Sequence, residues 1–313
     1  MVTRVPVLAL NGPTASGKTA VAVAVAHALA ADGMAAEIVN ADSMLVYRGM
    51  DIGTAKPTAA ERSGVPHHLI DIMDVTQDAS VADFQQLARA VIADCRARGV
   101  VPIIAGGSAL YVHAILDDFR FPGTDPDIRA RLEAELADQG PAALHERLSR
   151  LDRHAADGIL PGNGRRIVRA LEVIELTGGF RSQLPEWTYA LDDVLQVGLE
   201  VPRELLDARI EERVERMWSD GLVEEVAGLV ERGLRDGRTA SRAIGYRQVL
   251  AQLDGELTEA EARQQTVFGT RRLARKQLGW FRRDPRIQWL PAGPEAVHGI
   301  TDAVRGRVER IGG

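Results

Sequence analysis

The sequence predicts an open parallel α/β sheet flanked by helices, with an all-helical insertion, and three observations carry this. First, Gly12-Pro13-Thr14-Ala15-Ser16-Gly17-Lys18-Thr19 fits the phosphate-loop pattern G-x-x-x-x-G-K-[ST] at every position. Second, the apolar run Val5–Leu10 leads into that loop as a buried strand, and the helix-forming run Thr19–Ala31 leads out of it. Third, strand-like runs at 37–41, 100–105 and 194–201 are spaced by helical patterning, whereas the stretch from 121 to about 187 is helical only.

Composition sets the outer limits. The chain has 313 residues, 45% hydrophobic and 26% charged, as expected of a globular protein with a sizeable core. A formal net charge of −6 excludes a generally basic nucleic-acid binder, so any such function rests on local patches. The single cysteine, Cys95, excludes an intrachain disulfide and a cysteine-cluster metal site. No apolar run approaches a membrane span, and Val5–Leu10 is too short for a signal peptide, so a cytoplasmic protein is expected.

In chain order, Glu37–Ala41 reads as a second strand ending at Asp42-Ser43. Ligand crevices of such sheets lie at the carboxyl ends of the strands, which aims Asp42 at the phosphate loop. Asp and Ser also serve as plain turn formers there. Met50–Pro57 is a polar loop punctuated by Gly53 and Pro57. His67 and His68 are strand neighbours that point to opposite faces, which favours structural or solvated roles over shared metal ligation. Ser80–Arg98 is a helix with a Ser80/Asp83 capping-box pattern, closed by Gly99. Val100–Ala105 is a third buried strand, and Gly106-Gly107 after it permits close backbone approach to a ligand.

The insertion reads as helices at 127–137, 141–151 and 165–176. Arg165, Arg166 and Arg169 open the last of these and suit nucleic-acid phosphates or a solvated face equally. After the strand at 194–201, a long helical region, 203–232, breaks near Gly221. Arg209, Arg213 and Arg216 share one face of it among glutamates, so an exposed salt-bridged face is the default reading. Ser241–Gln248 packs basic, glycine and aromatic residues together. Residues 263–283 carry Arg271, Arg272, Arg275, Lys276, Arg282 and Arg283 with Trp280 and Phe281, a basic-aromatic mix that suits a nucleic-acid backbone and unstacked bases. The tail beyond Pro291 shows no readable element. The expected organisation is therefore a P-loop NTPase-like core over 1–120 and 190–290, an insertion over 121–189 and a C-terminal tail over 291–313.

The loop's N–H groups, the positive end of the following helix and Lys18 converge on a polyphosphate, with Thr19 able to hold Mg²⁺. Asp42 is placed as a base acting on an acceptor that faces the phosphates. The residues by themselves reach phosphoryl transfer, or transfer with diphosphate as leaving group, to a nucleophile.

Taken together, the motifs resemble the tRNA dimethylallyltransferase (isopentenyltransferase) family of bacterial type. The resemblance runs through Gly12–Thr19, Asn40-Ala41-Asp42-Ser43, the stretch from Tyr47 to Pro57, His67–Asp71, Gly106-Gly107, Arg166–Val173 and Gly245-Tyr246-Arg247. It covers nearly the whole chain to Trp289, and Met50–Pro57 is its most specific part. It implies transfer of a dimethylallyl group from dimethylallyl diphosphate to N6 of adenosine 37, beside the anticodon of tRNA. The loop (Gly12, Pro13, Thr14, Ala15, Ser16, Gly17, Lys18, Thr19) would hold the diphosphate, with Mg²⁺ on Thr19 and with Asp42, Thr19 and Arg213 as the catalytic set. Contacts to the anticodon stem-loop are implied for Asp42, Ser43, Met44, Leu45, Ser108, Arg129, Arg165, Arg166, Ile167, Val168, Arg169, Arg242, Gly245, Tyr246 and Arg247. A monomer is implied. Two departures stand out: Ser108-Ala109 where the family has Thr-Gly, and Gly162-Asn163-Gly164 where it has Asn-Asp after the proline. Competing readings are an adenylate isopentenyltransferase, a P-loop small-molecule kinase or NTPase, and a non-catalytic tRNA-binding protein. The insertion and basic segments favour tRNA over a free nucleotide, and the intact Lys18, Thr19 and Asp42 favour catalysis.

Overall fold

A computed structural model describes residues 5–119, 121–180 and 187–312. The chain forms two compact units, one of Met1–Asp117 with Tyr189–Gly313 and one of Asp118–Thr188. The first holds a six-stranded, all-parallel sheet in the order β3-β2-β4-β1-β5-β6. Its strands are β1 (Val7–Asn11), β2 (Ala36–Asn40), β3 (His67–His68), β4 (Val101–Gly106), β5 (Val194–Glu200) and β6 (Gln288–Pro291). Up to the insertion the helices are α1 (Lys18–Ala31), α2 (Ala59–Arg62), α3 (Val81–Ala97) and α4 (Ala109–Leu116). The second unit contributes α5 (Pro126–Leu151), α6 (Arg153–Asp157) and α7 (Gly164–Thr177). The first unit resumes with α8 (Arg203–Ser219), α9 (Leu222–Glu231), α10 (Tyr246–Leu253), α11 (Glu259–Phe281) and α12 (Pro294–Gly312).

Because side chains alternate across a strand, the apolar strands feed two cores at once. Val7, Ala9, Val39, Ile104 and Val194 face a core shared with Phe84, Tyr111, Val214, Leu222 and Tyr246. Leu8, Leu10, Ile38, Ile103, Leu195, Val197 and Leu199 face the other, filled by Val21, Val25 and Leu29 of α1 and by Ala296, Ile300 and Val304 of α12. The segment after Pro291 is thus no tail: it is a helix against α1, held also by Arg305 to Asp32 and Arg307 to Asp193. Its buried positions Ala296, Ile300, Thr301 and Val304 keep helical spacing, so the face was present in the sequence, although Gly299 and Gly306 are weak helix formers. The edge strand β6 is likewise four residues long, too short for a period to register.

Other boundaries move by a few residues. Ser80 caps α3 by accepting from the Asp83 N–H at 3.4 Å. The helix read from 263 starts at Glu259, where Thr258 and Glu261 form a capping box. In the second unit α5 continues through Pro141, but Gly140, at φ 78°, breaks its backbone there. Leu132, Leu144, Leu148, Ile159, Ile167 and Leu171 make that unit's own core. Residues 181–186, which the expected insertion includes, lie outside the described residues.

The carboxyl edge of the sheet is tightly drawn. Gly106, at the end of β4, runs against the end of β2, and a Cβ there would stand 2.2 Å from the Ala41 carbonyl oxygen. Both groups are backbone and cannot turn aside. We predict that Gly106→Ala lowers stability by about 1–3 kcal/mol, the usual cost of overpacking. Since Asp42 follows Ala41, turnover should fall by more than the unfolded fraction explains. Urea denaturation and activity of the folded fraction check this; an unchanged denaturation midpoint would show that the strand ends separate freely.

Candidate active site

The phosphate loop connects β1 to α1 and is shaped by backbone geometry. Gly12 (φ 152°), Ala15 (φ 63°) and Gly17 (φ 87°) take positive φ, and successive turns of this kind direct N–H groups into a concavity that suits an anion. A Cβ at Gly12 would sit 2.9 Å from Ser16 Oγ, so glycine at this positive φ also spares the Ser16 hydroxyl from being displaced. Gly17 starts α1 with no side-chain cap, which leaves the first-turn N–H groups for a ligand. Lys18 is folded back on the loop, its Nζ donating to the Pro13 carbonyl at 2.7 Å. Thr19 is exposed on the first turn of α1.

Two other elements reach the loop. From α8, Ile210 and Val214 enter the cores, and the half-buried Arg213 between them donates from Nη1 to Thr14 Oγ1 at 3.4 Å. The default reading of Arg213 as part of a solvated salt-bridged face is therefore corrected, although Arg216 does pair along that face with Glu212. From α11, the buried Gln277 accepts the Thr14 N–H on Oε1 at 2.8 Å.

Asp42 follows β2 in a fixed turn. Its N–H donates to Asn40 Oδ1 at 2.7 Å, and its own Oδ1 accepts the Met44 N–H at 2.9 Å. Asn40 Nδ2 ties the turn to the Leu69 carbonyl at 3.0 Å. The turn chemistry read for this position is thus present. Lys18 feels the cluster: its pKa falls to about 8, chiefly because it is buried, with the Asp42 carboxylate pulling it up and Arg213 pushing it down. Burial also depresses Arg213. Beneath them the Tyr111 hydroxyl is pushed up to about 12 by burial, then by Tyr47 and Asp42.

Met50–Pro57, the most family-specific stretch, is a scaffold. Glu225 of α9 accepts the N–H groups of Asp51 (3.0 Å), Ile52 (2.7 Å) and Gly53 (3.3 Å) and the Tyr246 hydroxyl. Gly53 is pressed on the Tyr246 ring, where a Cβ would meet Cε2 at 2.5 Å. Buried Lys56 joins Asp51, Asp71 and the Tyr47 carbonyl. The paired histidines do diverge: His68 Nε2 meets Glu37 at 2.7 Å, and His67 Nδ1 meets the Val65 carbonyl at 2.8 Å. Cys95 lies beside Glu37, but both guanidinium Nη atoms of Arg98 already hold that carboxylate, at 2.7 and 2.8 Å.

The residues suggested for RNA separate into two kinds. In the first unit Ser43, Met44, Leu45 and Ser108 are half-buried near the strand ends, and Arg242 and Arg247 are exposed. Tyr246 is fully buried on Glu225, and Gly245 is buried with its N–H on Gln248 Oε1; their side of that motif is structural, which corrects the expectation of direct contact. In the second unit Arg165 and Arg166 are exposed. Ile167 and Val168 are core residues, and Arg129 and Arg169 bracket the fully buried Glu172, so the side chains of these four are already committed. A buried carboxylate a few residues beyond an arginine run explains that commitment, and only the packing reveals it.

The basic stretch of α11 also divides. Arg271 binds Glu211 (2.9 Å) and Arg282 binds Glu200 (3.2 Å), so acidic partners absent from the local sequence arrive from α8 and β5. Arg272, Arg275 and Lys276 remain exposed, with no ion pair among the described residues. Between α10 and α11 lies a groove of about 680 Å³ lined by Arg247, Phe268, Arg272, Leu273 and Lys276 among others. Phe268 is 64% exposed within it.

Strand order, loop and uncapped helix define a P-loop NTPase-like protein. Residues 45–284 match the family model described as IPP transferase. A tRNA dimethylallyltransferase of Kineococcus radiotolerans is 64% identical over 290 residues, 92% of this chain and 91% of that protein. That of Thermobifida fusca is 62% identical, covering 91% of this chain and 89% of its own. The full-length tRNA isopentenylpyrophosphate transferase of Bacillus halodurans superposes with a TM-score of 0.71 at 40% identity, covering 98% of both chains. A eukaryotic dimethylallyltransferase solved acting on tRNA shares the fold, with a TM-score of 0.76 at 23% identity over 96% of this chain and 77% of that one. This chain belongs to the IPP transferase family.

The Lys18 environment generates a pH prediction. An ammonium with a pKa near 8 loses its charge as pH rises through that value, and with it the attraction for a phosphate donor. The donor kcat/KM, which reports groups of the free enzyme, should therefore fall above pH 8, approaching tenfold per unit. A profile flat to about pH 9.5 would show that Lys18 keeps its ordinary pKa of about 10.4.

Proposed function

We propose that this protein transfers a dimethylallyl group from dimethylallyl diphosphate to N6 of adenosine 37, next to the anticodon of tRNA, and releases diphosphate. It would act as a cytoplasmic monomer. The observation that carries the reading is the convergence of Lys18, Arg213 and an uncapped helix start on one loop, with the Asp42 turn within electrostatic reach. Family membership supports this choice of donor and acceptor.

In the transfer the bond from N6 to the allylic carbon forms as the carbon–oxygen bond to diphosphate breaks. The carbon develops positive charge and the leaving group gathers negative charge. Lys18, Arg213 and the loop N–H groups are preorganised for the latter, and such donors contribute most where charge develops. The N6 lone pair is delocalised into the purine ring, so the amine attacks well only as its proton leaves. Asp42 accepts that proton, with its carboxylate oriented by the Met44 N–H. Thr19, an exposed hydroxyl on the first turn of α1, is the hard oxygen donor that would hold Mg²⁺. When bound, Mg²⁺ supplies Lewis-acid charge to the phosphate oxygens.

Adenosine must leave its stack to reach such a site. Exposed Arg242, Arg247, Arg272, Arg275 and Lys276 offer phosphate contacts, and Phe268 offers a face for an unpaired base. In the other unit Arg165 and Arg166 offer further contacts. The direct test offers labelled dimethylallyl diphosphate to tRNA, to an anticodon stem-loop and to AMP. Label is expected in the first two, and label in AMP alone would overturn the reading.

Two variants probe the parts. Asp42→Asn is nearly isosteric but cannot take a proton, so single-turnover transfer should drop about 10²–10⁴-fold with tRNA binding retained; a near-normal rate would remove Asp42 as the base. Replacing Arg272, Arg275 and Lys276 with Ala should weaken tRNA binding and flatten its salt dependence, by at most about one slope unit for each phosphate no longer neutralised. Donor binding should be spared, and an unaltered slope would make this face merely solvated.

A further inference from the structure

We propose that Gln277 is a positioning residue for the donor: from α11 it locks the phosphate loop in its anion-binding shape. The proposal rests on the reading of that loop as a diphosphate site. Gln277 is 9% exposed, although its neighbours Arg275 and Lys276 on the same helix face solvent. Its Oε1 accepts the Thr14 N–H at 2.8 Å, from 263 residues away in sequence. Its Nε2 lies against the turn after β4, 2.7 Å from where a Cβ on Gly107 would be. One amide thus hydrogen-bonds the loop after β1 while packing against the turn after the adjacent strand β4.

The loop has a reason to need a brace. Ala15, next to Thr14, holds φ 63° without being glycine, a conformation that costs about 1–2 kcal/mol and persists only when its surroundings fix it. Thr14 is fixed twice, through its N–H by Gln277 and through its hydroxyl by Arg213 at 3.4 Å. α8 and α11 therefore grip the same residue, immediately before the strained one. An amide suits this position on charge grounds. It offers an acceptor to the Thr14 N–H without adding a negative charge beside the anion, as glutamate would. Gly107 leaves the space the amide occupies.

The experiment measures binding of inorganic pyrophosphate and, separately, of the anticodon stem-loop, with thermal unfolding as a check on folding. Gln277→Leu keeps the bulk and loses the hydrogen bond, so pyrophosphate should bind about five- to tenfold more weakly, the worth of one such bond. Stem-loop affinity should stay within about twofold, since Gln277 is buried behind the exposed cations. Gln277→Glu should bind pyrophosphate more weakly than Gln277→Leu, because it keeps the acceptor but adds charge. Gly107→Ala approaches from the other side: its new methyl pushes the flexible amide off Thr14 without altering α11. It should reproduce the loss, and the double variant Gly107→Ala/Gln277→Leu should be no worse than Gln277→Leu alone. If Gln277→Leu does not fold, Gly107→Ala carries the test. Wild-type pyrophosphate affinity in the folded variants would overturn the proposal alone, as would an equal loss of pyrophosphate and stem-loop binding. Wild-type protein that binds no pyrophosphate would overturn the reading of the loop, and this proposal with it.

Discussion

Two cations and a helix start converge on one loop, and the rest of the first unit is arranged to make that convergence tolerable. Lys18 and Arg213 repel one another, and both are depressed by burial. The Asp42 carboxylate offsets part of this. The Pro13 carbonyl takes the Lys18 ammonium, and the Thr14 hydroxyl takes the Arg213 guanidinium. Hydrogen bonds from α8 and α11 hold the loop in this arrangement.

Buried polar hubs transmit that rigidity. Asn11, just before the loop, donates to Gln196 at 3.1 Å, and Gln196 donates on to Asp284 and to the Tyr189 hydroxyl, each at 3.0 Å. Arg286 closes this network on Asp284 and on the fully buried Asp117, while stacking 4.0 Å over the Tyr189 ring. Glu225 does the same for the Met50–Pro57 loop, and Glu172 for the core of the other unit. Networks of this kind specify one arrangement because any half-satisfied member costs more than an apolar substitute. Much of what looks functional in the family's motifs is this scaffold.

The local features were legible in the sequence. The phosphate loop, the strands beside it, Asp42 at a strand end and the long helices follow from periodicity and turn chemistry, which act over a few residues. Elements that depend on a partner were not. Strand β6 is too short to carry a period, and the tail beyond Pro291 is a helix whose apolar face lies in the same core as α1. Arg271 and Arg282 look free beside Arg272 and Arg275 because their acids, Glu211 and Glu200, are distant in the chain.

The sequence by itself determined the chemistry available: an anion loop, a carboxylate, oxygen donors and surplus arginines, because residue type and near-neighbour spacing settle these. Tertiary structure decided which of them are free to act. It took Tyr246, Ile167, Val168, Arg129 and Arg169 into the scaffold, freed Arg213 from an ordinary salt-bridged face, and brought Gln277 to Thr14 across 263 residues. Burial and charge pairing are properties of three-dimensional neighbours, and no local pattern encodes a neighbour that arrives from another helix.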